Sequence, residues 1–133
     1  MARSAARKAL TALAFSATVL AALAPTHTLA AAPDPAQARK DLKAMGVDYN
    51  GQEFAKAAGN GDLTAVNLFL AAGMDVNEGG GAALGLAAGR GRLDMVKHLL
   101  SKGAKPTANA LQYARTRGHK DIEKVLVDAG AKE

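Results

Sequence analysis

Serine and histidine, the usual nucleophile and general base of hydrolases, are scarce beyond residue 30. They occur there only as Ser101, His98 and His119, and the chain contains no cysteine. A serine nucleophile would need an oxyanion hole, and no motif around Ser101 indicates one. The spacing of the acidic residues adds no metal-ligand cluster around either histidine. We therefore predict no catalytic residue, no metal site and no cofactor. A small-ligand binder or hydrolytic enzyme that uses His98 or His119 is the alternative.

Cationic side chains concentrate around two glycines, Gly91 and Gly118. The set comprises Arg90, Arg92, Arg115, Arg117, His119 and Lys120. Arginine pairs readily with carboxylates, so one interpretation is a docking strip for an acidic partner. The other interpretation is a solvated basic edge. The predicted partner-binding residues are Asn60, Arg90, Arg92, Arg117 and His119.

Two further patterns have structural explanations. Asp62, Asp94 and Asp121 recur because the sequence around them recurs, and acids near a helix start are favoured by the helix dipole. They do not form the carboxylate pair of a glycosidase.

The glycine run at 79–81 predicts a shortened turn with unusual backbone angles. A phosphate cradle is the alternative there, but the run lacks the lysine and the Ser/Thr of a P-loop.

The chain repeats itself three times. Glycines at 61, 91 and 118 correspond, with steps of 30 and 27 residues, and glycines at 73, 103 and 130 correspond with the same two steps. Self-similarity at this period indicates a stacked-repeat fold. Each unit is a short alanine-rich segment, a glycine-containing turn and a longer segment with apolar residues at helical spacing. Because one helix pair cannot bury its own apolar side chains, three units must stack to form a common core.

The repeat resembles the ankyrin repeat over about residues 49–131. The segment 118–131, Gly-His-Lys-Asp-Ile-Glu-Lys-Val-Leu-Val-Asp-Ala-Gly-Ala, is close to the second helix of that family and its Gly-Ala ending. The segment 73–77 looks like the start of the family's finger. The Thr-Pro-Leu-His tetrapeptide keeps only its central hydrophobe, at Phe54, Leu84 and Leu111. The fingers are shorter by roughly three to six residues than in the usual repeat of about 33.

The resemblance implies an all-α stack of three helix-turn-helix units that binds a partner protein. In the family the two residues before the turn glycine often face partners, and here these pairs are 59–60, 89–90 and 116–117. Some bacterial ankyrin proteins that this chain resembles act beside oxidative-stress enzymes such as catalase. An accessory factor for a periplasmic enzyme is therefore an alternative function.

The first 30 residues are typical of a secretory signal peptide. Three basic residues precede an uncharged run at 9–24, and Thr28-Leu29-Ala30 before Ala31 is the predicted cleavage site. An uncleaved anchor and a mitochondrial presequence are the alternatives. Removal of residues 1–30 lowers the net charge from +5 to +2, because three basic residues and no acids lie there. The high pI of the whole chain is thus no evidence for nucleic-acid binding.

The predicted layout is a signal peptide at 1–30, a capping helix within 31–48 and a repeat domain at 49–133. The repeat units are about 49–78, 79–105 and 106–133. Asp34 followed by Pro35 predicts the start of the capping helix. We predict an exported, monomeric protein-binding module that is not an enzyme, is periplasmic and has no stable membrane insertion after signal cleavage. Secretion from the cell, with action on a host protein, is the alternative location.

Overall fold

The computed structural model describes residues 34–133, so the predicted signal peptide lies outside the described residues. The described part contains seven α-helices and no β-strand. The helices are α1 (Pro35–Ala44), α2 (Gly51–Asn60), α3 (Leu63–Ala71), α4 (Glu78–Gly89), α5 (Leu93–Ser101), α6 (Ala108–Thr116) and α7 (Lys120–Asp128). The predicted all-α architecture is confirmed.

The helices pair in chain order and the pairs stack. Helix α2 packs with α3, α4 with α5, and α6 with α7. Between units, α4 packs between α2 and α6 to form an inner layer, and α5 packs on α7 in an outer layer. Helix α1 packs against α3, at the start of the stack. The inner helices can lie close together because their facing positions carry alanine, at Ala57, Ala87 and Ala114, all of them buried.

One apolar core runs through all three units. Its largest side chains include Phe54 and Phe69 in the first unit, Leu84 and Leu99 in the second, and Leu111 in the third, each at most 2% exposed. The two phenylalanine rings lie 5.5 Å apart in a tilted arrangement, a geometry that aromatic pairs favour. Burial of each such side chain is worth about 1.5–3 kcal/mol, and the helices supply these residues at helical spacing.

Local capping signals place the helix ends. The Asp34 carboxylate accepts a hydrogen bond from the Ala36 amide at 3.0 Å, and Pro35 occupies the first turn of α1. The Thr107 hydroxyl accepts from the Ala110 amide at 3.1 Å and begins α6. The predicted start of the capping helix, α1, is confirmed. The glycines that follow the three outer helices, at 73, 103 and 130, have φ angles of 101°, 96° and 107°.

The connections between units are short and contain no strand in the residues described. Gly79, Gly80 and Gly81 all have positive φ, of 67°, 70° and 85°, and they form a left-handed turn at the start of α4. The predicted tight turn with unusual backbone angles is confirmed. The Asn77 side chain joins two successive connections, since its Nδ2 donates to the Gly103 carbonyl at 3.3 Å. Its Oδ1 accepts from the Lys105 amide at 2.8 Å. One amide side chain thus makes the link that paired strands would make in longer fingers.

Helix α1 is attached to the first repeat by polar contacts as well as by its buried Leu42. Arg39 and Tyr49 both donate to the Ala72 carbonyl, at 3.3 and 3.2 Å. The Arg39 guanidinium also lies 4.3 Å from the centre of the Tyr49 ring, within range of a cation–π interaction. The carbonyl at the end of α3 is thereby satisfied, and α1 covers the outer helix of the first unit.

Candidate functional site

The predicted binding residues lie along the turns that join the inner and outer helices. Their three arginines, Arg90, Arg92 and Arg117, form what we call the arginine row. Each of them reaches back to the preceding unit. Arg90 Nη1 donates to Asn60 Oδ1 at 2.8 Å, so these two predicted site residues are in contact.

The other two arginines bond to carbonyl groups at the ends of inner helices. Arg92 Nε donates to the Gly59 carbonyl at 3.2 Å, and Arg117 Nη1 donates to the Gly89 carbonyl at 3.4 Å. These carbonyls belong to the last turn of a helix, where no further amide of the helix can reach them. The arginine row therefore joins neighbouring units, and the contacts hold the guanidinium groups in fixed positions at the surface.

Asp62, Arg92 and His119 occupy the same position of the repeat, immediately before each outer helix. Asp62 caps its own helix by accepting from the Ala65 amide at 3.0 Å. Arg92 and His119 make no such cap. They lean against the turn glycine of the preceding unit instead. A Cβ placed on Gly61 would lie 3.3 Å from Arg92 Cδ, and one placed on Gly91 would lie 2.8 Å from His119 Cε1.

The charges of the arginine row are not neutralised by acids within residues 34–133. No carboxylate there lies within 4.0 Å of Arg90, Arg92 or Arg117. Arg115, two residues before Arg117, is the contrast. It pairs with Glu123 at 2.9 Å and with Glu133 at 2.6 Å. The hydrogen bonds that Arg115 donates to these two carboxylates raise its pKa. A surface with fixed, uncompensated guanidinium groups is suited to bind carboxylates.

A groove between α4 and α6 adjoins the arginine row, and the sequence did not predict it. The part next to the arginines, which we call the central trough, has a volume of about 340 Å³. Its lining residues are Gly85, Leu86, Gly89, Arg90, Tyr113 and Arg117. Tyr113 is 50% exposed, an unusual fraction for a large ring in a helix of the stack. The available signal was the repeat register, which aligns Lys56, Leu86 and Tyr113 on the inner face.

The whole domain has the architecture of one repeat family. A sequence model described as ankyrin repeats, in three copies, matches residues 54–133, more than half of the chain. The chain belongs to the ankyrin-repeat family. No curated protein gives a significant match. Ankyrin repeats are in general protein–protein interaction modules, and the family is typically non-enzymatic.

In the described ankyrin domain, neither histidine side chain is hydrogen-bonded to the Ser101 hydroxyl. His98 Nε2 is 2.7 Å from Asn67 Oδ1, a contact between the outer helices of units one and two. The Ser101 hydroxyl donates to the carbonyl of His98 at 2.6 Å, so it bonds to its own helix. His119 is half-buried against Gly91, at the turn between the second unit's helices. The structure therefore does not bring Ser101 and an imidazole together as a catalytic pair.

Among residues 34–133, no three histidine, aspartate or glutamate side chains gather closely enough to hold a metal ion. None of the seven helices has the length and apolar character needed to span a bilayer.

Proposed function

We propose that this ankyrin-repeat protein is an exported module that binds an acidic surface of one partner protein and has no catalytic activity of its own. The observation that carries the proposal is the arginine row. Three guanidinium groups stand at two consecutive turns, each held by a contact to the preceding unit, and none is paired with an acid of the described domain.

The arginine row would bind a partner at a lower entropic cost if its side chains are ordered beforehand. An exposed arginine normally loses rotamer freedom when it binds, at a cost of about 0.5–1.5 kcal/mol for each ordered side chain. Here the hydrogen bonds to Asn60, Gly59 and Gly89 already restrict the three side chains before a partner arrives. Each guanidinium has five N–H donors, so one internal contact leaves others for a carboxylate. The stack also needs no rearrangement, because each unit is packed on its neighbours.

The proposed location is the periplasm, with secretion as the alternative. It depends on the basic start and the uncharged run of residues 1–30, which are typical of a signal peptide. We expect the protein purified from its own cells to begin at Ala31, as measured by intact mass, and to appear in the periplasmic fraction. A cytosolic protein that retains Met1 would refute export.

A pull-down from an envelope extract of the source cell tests the binding function. The bait is the purified protein, beside a variant with Arg90, Arg92 and Arg117 changed to glutamate. The matched control carries Lys40→Glu, Lys97→Glu and Lys102→Glu, which reverse the same amount of charge at exposed positions outside the row. We expect one protein to be captured stoichiometrically by the native bait and the control, and lost with the arginine variant.

The other outcomes separate the alternatives. Equal capture by all three baits would keep a binding module but reject the arginine row as its surface. Capture of a single oxidative-stress enzyme would define the module as an accessory factor. Capture by none of them would refute the binding proposal for that envelope, and a thermal-shift screen of metabolites would then test ligand binding. Sedimentation of the purified protein checks the proposed monomeric state.

A further inference from the structure

The two walls of the central trough come from the same position of two successive repeats, Leu86 in the second and Tyr113 in the third. Leu86 lies against Gly59 of the preceding unit, and Tyr113 lies in the equivalent way against Gly89. The Tyr113 ring also faces Gly85, since a Cβ added there would be 3.5 Å from its Cδ2 and Cε2 atoms. The trough therefore has an apolar wall on each side, and its floor is Gly85 and Gly89, two buried glycines covered by the Tyr113 side chain.

The trough continues along the two helices toward the left-handed turn. An adjoining part, also about 340 Å³, is lined by the glycines at 79–81, by Ala82, and by Thr107 and Asn109, and it shares Gly85, Leu86 and Tyr113. From residue 82 to residue 90, α4 is about 12 Å long, at about 1.5 Å per residue. An extended chain covers that length with about four residues, at about 3.3 Å each. A short extended segment thus fits the dimensions of the groove.

Charge differs between the two ends of this groove. Arg90 and Arg117 stand at one end, without a carboxylate neighbour among the described side chains. Thr107, Asn109 and the glycine turn make the other end polar but uncharged. An occupant with an apolar side chain in the middle and a carboxylate at the arginine end would complement both features. Lys56, at the same repeat position as Leu86, is already paired with Glu53 at 2.7 Å and lies outside the trough.

We propose that the central trough binds a short extended segment of the partner protein, with an apolar side chain between Leu86 and Tyr113 and an adjacent carboxylate on Arg90 or Arg117. This inference depends on the proposed protein-binding function and adds the chemical class of the bound segment. Tyrosine and arginine are among the residue types enriched where binding energy concentrates at interfaces. The two glycines let the Tyr113 side chain lie close to α4, where it forms one wall of the trough.

Selection from a phage library of random peptides on the purified, immobilised protein tests the proposal without a known partner. Recovered peptides are synthesised with a fluorescent label and titrated by anisotropy. We expect the recovered sequences to share an apolar residue next to aspartate or glutamate. Two variants test the location. Gly85→Leu displaces the Tyr113 ring, which is one wall of the trough, and Arg90→Glu with Arg117→Glu removes the carboxylate site. Each is expected to weaken binding at least about tenfold, the effect of losing one well-buried contact.

The controls match each change in chemistry. Thr64→Leu adds the same apolar side chain at an exposed position of α3, and Lys40→Glu with Lys97→Glu reverses the same charge away from the groove. Both are expected to bind within about twofold of the native protein, a free-energy change well below the tenfold step. Thermal unfolding of every variant shows whether a loss of binding reflects a loss of folding. Should Gly85→Leu fail to fold, Gly85→Ala and Tyr113→Ser replace it.

Three outcomes would overturn the proposal. Peptides that bind all folded variants equally would place the site elsewhere. Recovered peptides that lack an acid beside an apolar residue would show that the trough binds another kind of segment. Tighter binding of a single-stranded oligonucleotide than of any peptide would show that its ligand is not a protein. Recovery of no peptide would also reject it, because an extended segment needs no folded partner. The envelope pull-down judges the binding function separately, so capture of a partner there together with failure here would reject the trough alone.

Discussion

The imidazole of His119 lies directly over Gly91, so close that a methyl group on that glycine would be 2.8 Å from His119 Cε1. His119 belongs to the third repeat and Gly91 to the second, and the turn at Gly91 has a positive φ of 74°. Gly91 thus meets two demands. It adopts a left-handed conformation that side chains disfavour, and it leaves space for a side chain of the next unit.

Gly118 allows these two demands to be separated. It occupies the same position in the last unit, with a φ of 77°, but no atom of the described residues lies within 4 Å of an added Cβ. We expect Gly118→Ala to cost about 1–2 kcal/mol for the left-handed alanine alone. Gly91→Ala is expected to cost more, because the methyl group also displaces His119. Urea unfolding followed by circular dichroism measures both.

The double variant Gly91→Ala with His119→Ala provides the control. If the excess cost arises from the imidazole, the double variant loses less stability than the sum of the two single variants, a positive coupling in the cycle. Equal losses for Gly91→Ala and Gly118→Ala would show that His119 moves aside freely and contributes nothing to the joint between the units.

Asn77 is expected to matter for stability although it lies in a connection between helices. Asn77→Ala removes the hydrogen bonds to Gly103 and Lys105, at 3.3 and 2.8 Å. Both groups can bind water after the change, so we expect a loss of about 1 kcal/mol in the free energy of unfolding. Asn109→Ala is the matched control, because Asn109 is exposed and lies in the first turn of α6. A loss no larger than that of the control would mean that the connections are held by the helices alone.

The helices and their ends could be predicted because their signals are local. An aspartate before a proline, or a threonine before an alanine-rich run, determines a cap within three residues, as Asp34 and Thr107 show. The repeat was predictable for a related reason, since glycines at constant offsets specify turns at constant offsets. The contact between Asn60 and Arg90 also agrees with the predicted stacking of the units.

The trough was not predictable by the same means, because it depends on contacts between units. In the sequence Tyr113 is one residue of a helix, and nothing nearby indicates that its ring stands over glycines 24 and 28 positions earlier. The internal hydrogen bonds of Arg92 and Arg117 were likewise missed, since exposed arginines have many possible partners and only the stacking geometry selects a carbonyl. The partner-binding role of Asn60, Arg90, Arg92, Arg117 and His119 stays a prediction.

The ion pairs of Arg115 lie at the end of the stack, where no further unit follows in the described chain. Glu123 and Glu133 raise the pKa of Arg115, so the pairs contribute stability below the pKa of the unfolded arginine and lose it only as the pH rises through the higher folded value. That window is strongly alkaline. We expect Arg115→Gln to lower the melting temperature slightly, by the same amount at neutral and mildly alkaline pH, and by less at high salt.

Arg117→Gln is the control for that measurement, because Arg117 is an arginine of the same helix end without a carboxylate partner in the described structure. The change in melting temperature that Arg117→Gln causes, relative to the native protein, is expected to be the same at low and high salt. A salt effect of equal size in both variants would show that the net charge of the domain, and not the pairs at Glu123 and Glu133, determines the response.

Gly85 and Gly59 give the sharpest test of the groove, because both are helical glycines on the inner face and they differ in what lies above them. An added Cβ at Gly85 would make ordinary contact with the Tyr113 ring at 3.5 Å, whereas one at Gly59 would be 3.1 Å from Leu86 Cβ. Replacing a glycine inside a helix by alanine gains about 0.5–1 kcal/mol where space permits. We therefore expect Gly85→Ala to raise the free energy of unfolding, and Gly59→Ala to gain less or to lose stability.

Gly85→Ala also separates an effect on stability from an effect on peptide binding. Gly85→Ala adds a methyl group at the floor of the trough. We therefore expect this variant to be more stable than the native protein but to bind the selected acidic peptides more weakly. Denaturant unfolding and peptide titration of one preparation measure both quantities. Tighter or unchanged binding in the stabilised variant would show that the glycine floor serves only the packing of Tyr113 on α4, and that any partner contacts the side chains above it.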